Sequence, residues 1–242
     1  MIEDRFPLRE VVRARDSTLD PDSWPATLPA VAQVLNEGLV LSPATVLIGE
    51  NGSGKSTIVE AIAGAFGLSA EGGSTGARLS TRPSESPLGE NITLVRNVGS
   101  TRRGYFLRSE SAHGLFTYLE QNPSTSSRSP EPEFHNMSHG ESFLGLAENK
   151  FVGAGLWVLD EPEAALSFRG CVRLLRILTT SLARGDCQVI LSTHSPVLAA
   201  LPGAILLEVG DWGIRPTPWA ESELVMGWRS FLARPERHLR GL

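Results

Sequence analysis

Cysteine is nearly missing from the chain: Cys171 and Cys187 are the two among 242 residues. Neither has metal-type spacing, so a zinc module or a disulfide scaffold is excluded, and both are expected as thiols in a reducing cytoplasm. No apolar run approaches the roughly 18 to 20 residues that span a bilayer, so a membrane role is expected only through a separate chain. The start, MIEDRFPLREVVRARD, is charged from its third residue and does not read as a signal peptide. Positive charge is not in excess either. A net charge of -5 gives no global pull toward nucleic acid and leaves only a local basic patch for that role. No internal repeat and no heptad run is present, which excludes solenoids and long coiled coils.

What remains is ordinary globular material, 41% hydrophobic and 20% charged, long enough for one sizeable α/β domain. We expect a single domain over 1–242, with an inserted region at about 68–137 and a tail at about 212–242. Residues 1–45 carry Pro21, Pro25 and Pro29 and are expected to be extended, adding antiparallel strands at the sheet edge. Two stretches, 69–90 and 121–134, are rich in Ser, Pro and Gly and read as loops. Between them ITLVRNV and GYFLRSE read as strands and SAHGLFTYLEQ as a short helix. Further on, ESFLGLAENKF and RGCVRLLRILTTSLARG read as helices, and GLWVLDEP, CQVILSTHSP and PGAILLEVG as strands. Apolar strands alternating with helices imply an α/β fold whose mostly parallel sheet is flanked by helices.

Four stretches carry chemistry. The first is Gly49-Glu50-Asn51-Gly52-Ser53-Gly54-Lys55-Ser56, followed by Thr57, between the strand Val46–Ile48 and a helix from Lys55 to about Phe66. Glycines let the backbone turn its amides toward a phosphate, and the helix start adds a favourable dipole. In such a loop Lys55 would reach the β- and γ-phosphates and Ser56 would ligate magnesium, so ATP and Mg2+ are the expected ligands. The second is LWVLDEPEAALS, where an apolar strand delivers Asp160 and Glu161 at its end. Asp160 would hold the metal through water, and Glu161 would orient or deprotonate an attacking water. The third is STHSP, which sets His194 at the tip of another buried strand, within reach of a γ-phosphate. The fourth is NMSHGES, where Ser138, Gly140 and Glu141 open a helix about twenty residues before Asp160. It reads either as a second anion site on a positive helix end or as a Ser N-cap with Glu141 completing a capping box.

In order and spacing these pieces resemble the ABC-type ATPase superfamily over about residues 40–210, and more narrowly the small stand-alone bacterial ATPases of AAA or ABC type. GENGSGKST matches its Walker A, SHGE its signature, VLDEP its Walker B with the catalytic glutamate, EAALS its D-loop and His194 its H-switch. The resemblance implies a homodimer closed head to tail around ATP, Ser138 and Gly140 of one copy gripping the γ-phosphate held by the other's Lys55. The departures are His139 for the usual first glycine of the signature, Glu141 for glutamine, and Ser167 for the D-loop aspartate. The glutamines are Gln33, Gln121 and Gln188, none following a suitable strand, so Glu110 or Ser109 is left to do the Q-loop's work. Trp24 is a candidate surface for adenine, with a core position favoured for it.

The expected function is a cytoplasmic ATP-hydrolysing switch acting on an unknown macromolecular partner. Two alternatives stay open: the nucleotide-binding subunit of a transporter, joined to the membrane by a permease, and a compact DNA-repair or defence ATPase. The arginines of WRSFLARPERHLRGL keep nucleic acid among the candidate partners, against a plain solvated terminal helix. A nuclease domain after the ATPase is not expected in the about thirty residues that follow the last core strand.

Overall fold

The computed structural model describes residues 6–69, 71–75, 86–121 and 138–240. Its elements are β1 (Leu8–Arg13), α1 (Pro29–Glu37), β2 (Leu39–Val40), β3 (Ala44–Gly49), α2 (Lys55–Phe66), β4 (Gly73–Ser74), β5 (Ile92–Arg96), β6 (Gly104–Arg108) and α3 (Ala112–Gln121). They continue with α4 (His139–Lys150), β7 (Gly155–Asp160), α5 (Phe168–Leu182), β8 (Cys187–Ser192), β9 (Ile205–Gly210), β10 (Gly213–Pro216), α6 (Glu223–Ala233) and α7 (Pro235–His238). The expected loops at 76–85 and 122–134 lie outside the described residues.

The main sheet runs β10-β9-β3-β8-β7-β6-β4. Its five inner strands are parallel, and β10 and β4 close the two edges antiparallel. Period-two alternation splits these strands between two cores. Leu47, Phe106, Leu156, Val158 and Ile190 face α1 and α2, whereas Val46, Ile48, Tyr105, Leu107, Trp157 and Leu191 face α3, α4 and α5. Burial on both faces explains the unbroken apolar runs read in the sequence. In α5, Cys171, Leu174 and Leu178 recur at helical spacing and are buried, and Ser167 caps its start by accepting from the Gly170 amide at 3.2 Å. Both thiols are free and buried, and burial pushes Cys187 up to about 11.

The N-terminal region is antiparallel as expected, but its place needs correcting. Its strands do not extend the main sheet: β1 pairs with β2 and with β5, the ITLVRNV strand, in a separate antiparallel sheet. The fully buried Gln188 of β8 joins the two sheets. Its Oε1 accepts from the Leu8 amide at 2.8 Å, and its Nε2 donates to the carbonyls of Leu8 at 2.7 Å and Ser42 at 2.9 Å. PAVAQVLNE, taken as part of an extended region, is the helix α1, started by Pro29 at its first turn and burying Ala30, Val31, Val34 and Leu35. Among the described residues no helix is long and apolar enough to cross a membrane.

Register sets up the site. Leu47 pairs with Ser192, Asp160 pairs with Ser192, and Arg108 pairs with Asp160, so four strands end side by side at one rim of the sheet. Ligands of open parallel sheets bind at this carboxyl rim.

Candidate nucleotide site

The loop between β3 and α2 has the backbone its glycines allow. Gly49 has φ 148° and lies so close to β9 that a Cβ there would meet the Val209 carbonyl oxygen at 2.1 Å. Gly54, at φ 102°, is the left-handed N-cap of α2. Lys55, 3% exposed, turns its Nζ back onto the Glu50 carbonyl at 2.7 Å. Burial pushes its pKa down, opposed by the negative charges of Glu161, Asp160 and Glu163. Ser53 Oγ is buried with no hydrogen-bond partner. A buried ammonium held by one carbonyl and an orphaned hydroxyl in a turn of amides fit a phosphate chain as missing partner.

Asp160 ends β7 and is buried. Its Oδ1 accepts from Ser192 Oγ, and its Oδ2 faces Arg108 Nε at 3.6 Å. Glu161 follows with φ 47°, the positive value among described residues other than glycine. Its amide donates to the Ser192 carbonyl at 3.0 Å and its carbonyl accepts from Ser109 Oγ at 2.7 Å. These bonds hold the kink that turns the carboxylate off the line of the strand. Glu161 Oε1 comes within 3.2 Å of His194 Nε2, a close approach without hydrogen-bond alignment.

A cavity of about 360 Å³ collects Asn51, Gly52, Gly54, Lys55, Ser56, Thr57, Glu110 and Glu161, walled at one end by Trp24 and Leu28. The loop and Glu161 share this cavity; His194 reaches it through Glu161, and Asp160, the residue before Glu161, is not among those lining it. Both Q-loop candidates arrive, in different places: Ser109 braces Glu161 and Glu110 lines the cavity. Trp24 is not the core residue favoured for it; it is 56% exposed on the cavity wall.

Ser138, Gly140 and Glu141 are not among the residues lining this cavity. They form the capping-box alternative: Ser138 Oγ accepts from the Glu141 amide at 3.4 Å, and Glu141 Oε2 accepts from the Ser138 amide at 3.0 Å. Ser138 Oγ also donates to Glu141 Oε2 at 2.7 Å, and this bond first, then the one from the Ser138 amide, holds the Glu141 carboxyl below its usual range. A Cβ on Gly140 would meet the Ala165 carbonyl at 3.0 Å, so the start of α4 rests on the turn after β7. Asn136 and Met137 of that motif lie outside the described residues.

Three residues were missed. Glu163 accepts from Thr193 Oγ1 at 2.7 Å and from the His194 amide, clamping the tip of β8 to the turn after β7. Ser192 holds Asp160, and Arg108 faces it. An acid two residues beyond Glu161 was visible in DEPEAALS, but its partner lies thirty residues away.

Beyond the loop, a cavity of about 710 Å³ lies under α6, lined in part by Ser53, His194, Trp212 and Trp228. The tail's Arg229 sits over the Trp219 ring at 5.2 Å.

A family model described as ABC transporter matches residues 35–164, and one described as an AAA domain matches 152–200. Similar curated proteins include the zinc import ATP-binding protein ZnuC of Vibrio cholerae, 29% identical over 62% of this chain and 56% of that one. The cytochrome c biogenesis ATP-binding export protein CcmA of Sodalis glossinidius is 28% identical over 52% and 54%. ZnuC of Alkalilimnicola ehrlichii is 28% identical over 86% and 78%. The chain spans little more than half the length of the first two. Among solved structures, an SMC head bound to the C-terminal winged-helix domain of ScpA superposes with TM-score 0.50 at 14% identity, covering 88% of this chain and 97% of that one. An inward-facing metal-chelate type ABC transporter gives 0.50 at 14%, covering 92% and 88%. At these identities the structures speak for the fold alone.

Proposed function

Because the chain belongs to the ABC transporter family of ATP-binding proteins, we propose that it hydrolyses ATP between two copies of itself and passes the closing and opening to a macromolecular partner. The observation that carries this reading is Glu161. Its left-handed backbone turns a carboxylate onto the wall of the cavity that holds Lys55 and Ser56, within 3.2 Å of His194. In this reading the amides of Gly49–Gly54, with Glu50, Asn51, Gly52 and Ser53 shaping the turn, surround the phosphate chain. Lys55 leaves the Glu50 carbonyl for the phosphates. Ser56 and Thr57 sit at the helix start beneath them. Glu161 accepts the proton of the attacking water, and His194 keeps that carboxylate aimed at the γ-phosphate. Trp24 offers its face to the nucleobase.

Ser56 and Asp160 would hold magnesium. One hydroxyl and one carboxylate suit an ion that keeps most of its waters and arrives with phosphate oxygens. Among the described residues no cluster of three His, Cys, Asp or Glu forms a cage of its own. Bound there, the metal supplies positive charge to the phosphoryl oxygens.

A titration with a fluorescent ATP analogue tests the site. Lys55→Ala loses detectable binding, and Trp24→Ala weakens it about tenfold, the scale of one stacked base. Wild-type affinity in Lys55→Ala would remove the phosphate site from this loop.

The partner divides two readings. The names of the relatives, a zinc import ATP-binding protein and a cytochrome c biogenesis ATP-binding export protein, support a membrane permease. The Arg108-Ser109-Glu110 run, where a permease-gripping glutamine is expected, favours a soluble target or nucleic acid, with the chain free in the cytoplasm. Capture with Glu161→Gln in ATP and magnesium, against Lys55→Ala, decides it. A permease enriched on the ATP-bound form selects the transporter reading. A soluble protein or nucleic acid enriched there selects the other.

A further inference from the structure

Arg108 is a cation standing where a metal site is read. It ends β6 in register with Asp160. Its Nη2 lies 2.9 Å from both Glu60 Oε1 of α2 and Glu110 Oε2 of the following turn. Its Nε points toward Asp160 Oδ2 at 3.6 Å and is buried without a hydrogen-bond partner. The contact with Asp160 is therefore the loose one of the three, and the other two hold the guanidinium by Nη2 alone.

We infer that Arg108 acts as a placeholder for the metal: it neutralises Asp160 in the nucleotide-free chain and yields that carboxylate when magnesium enters with the nucleotide, remaining anchored by Glu60 and Glu110. The inference rests on the reading of Asp160 as the metal's carboxylate. The physics is competition between two cations for one buried anion. A buried carboxylate with no counter-charge is costly, so a site that is empty for part of its cycle gains from a resident cation. A cation bonded as tightly to Asp160 as to Glu60 would repel the arriving metal. An arginine held elsewhere by two carboxylates on its Nη2, and reaching Asp160 through Nε only at 3.6 Å, meets both needs. Glu60 and Glu110 thereby become positioning residues, because they decide how far the guanidinium leans toward Asp160.

The readout is the ratio of affinity for a fluorescent ADP measured with magnesium to that measured in EDTA, which reports metal coupling without turnover. Arg108→Met removes the competitor and raises the ratio about tenfold. Glu60→Gln removes an anchor and lowers it, yet moves it less than about twofold in an Arg108→Met background, because its action runs through Arg108. If Arg108→Met does not fold, Arg108→Lys and Glu60→Gln carry the test, since a lysine has one nitrogen for Glu60 and Glu110 and no second one to lean toward Asp160, and shifts the ratio upward. An arginine that only ties α2 to β6 lowers the melting temperature and leaves the ratio where it was, and that result overturns the inference. Asp160→Asn is the control. If it lowers the ratio while Arg108→Met does not raise it, the Arg108 inference alone fails. If it leaves the ratio unchanged, the reading of Asp160 fails and the inference goes with it.

Discussion

Glu161→Gln is expected to bind ATP as the parent does and to release phosphate about a hundred to ten thousand times more slowly, the range that a positioned general base contributes. The substitution changes one oxygen to an amide nitrogen. The features that place the side chain are backbone ones: the Glu161 amide on Ser192, its carbonyl on Ser109 Oγ and its left-handed φ. Glutamine keeps all three, so the geometry survives and the loss falls on proton acceptance. Binding draws on the loop and Lys55, which are untouched. A slow rate with intact affinity assigns Glu161 to the transition state; a wild-type rate moves the base elsewhere, and Glu110, on the same cavity wall, is the next candidate. Phosphate release in steady state and nucleotide titration on the same preparation separate these outcomes.

How much of this was legible follows from how local each feature is. The phosphate loop was readable because one short run of glycines fixes its own backbone, with Gly49 and Gly54 at values few other residues adopt. Asp160 and Glu161 were readable because an apolar strand ended in acid. Arg108 and Ser192 were not, because each matters through the register of neighbouring strands, and register is not written in any one stretch. The same limit hid the small second sheet. The sequence offers an extended N-terminus but not its partner, and the side chain that joins the sheets, Gln188, reaches Leu8 across 180 residues. Helix α1 was lost to a different error: three prolines suggested extended chain, while Pro29 in fact opens the helix. Trp24 was misplaced by the usual preference of large aromatics for the interior.

The largest structural effect is expected at the signature. Glu161→Gln with ATP and magnesium should scatter light as a dimer, twice the 26.1 kDa of the chain, and Ser138→Arg should return it to the monomer while ATP affinity stays within about twofold. The capping box complicates a simple deletion at Ser138. Its hydroxyl is engaged with Glu141 at the start of α4, so any substitution also removes a helix cap. Ser138→Ala is therefore the matched control: it loses the cap without adding bulk or charge. The pH matters as well. The Glu141 carboxyl is held below its usual range by Ser138, so the contact is fully present above the unfolded chain's carboxylate pKa and is lost as pH falls through the lowered value. At neutral pH the cap is intact, and the comparison isolates what the arginine adds. A helix start that only caps itself predicts that the alanine and arginine variants dimerise alike. A helix start that closes on the phosphates of a second copy predicts that alanine, which loses one gripping hydroxyl, weakens the dimer and arginine abolishes it, because its long side chain holds the two copies apart before the γ-phosphate can be reached. Dimers from both variants would move the contact away from the start of α4, and a Glu161→Gln chain that stays at 26.1 kDa in saturating ATP and magnesium would remove the two-copy site and leave hydrolysis to a single chain.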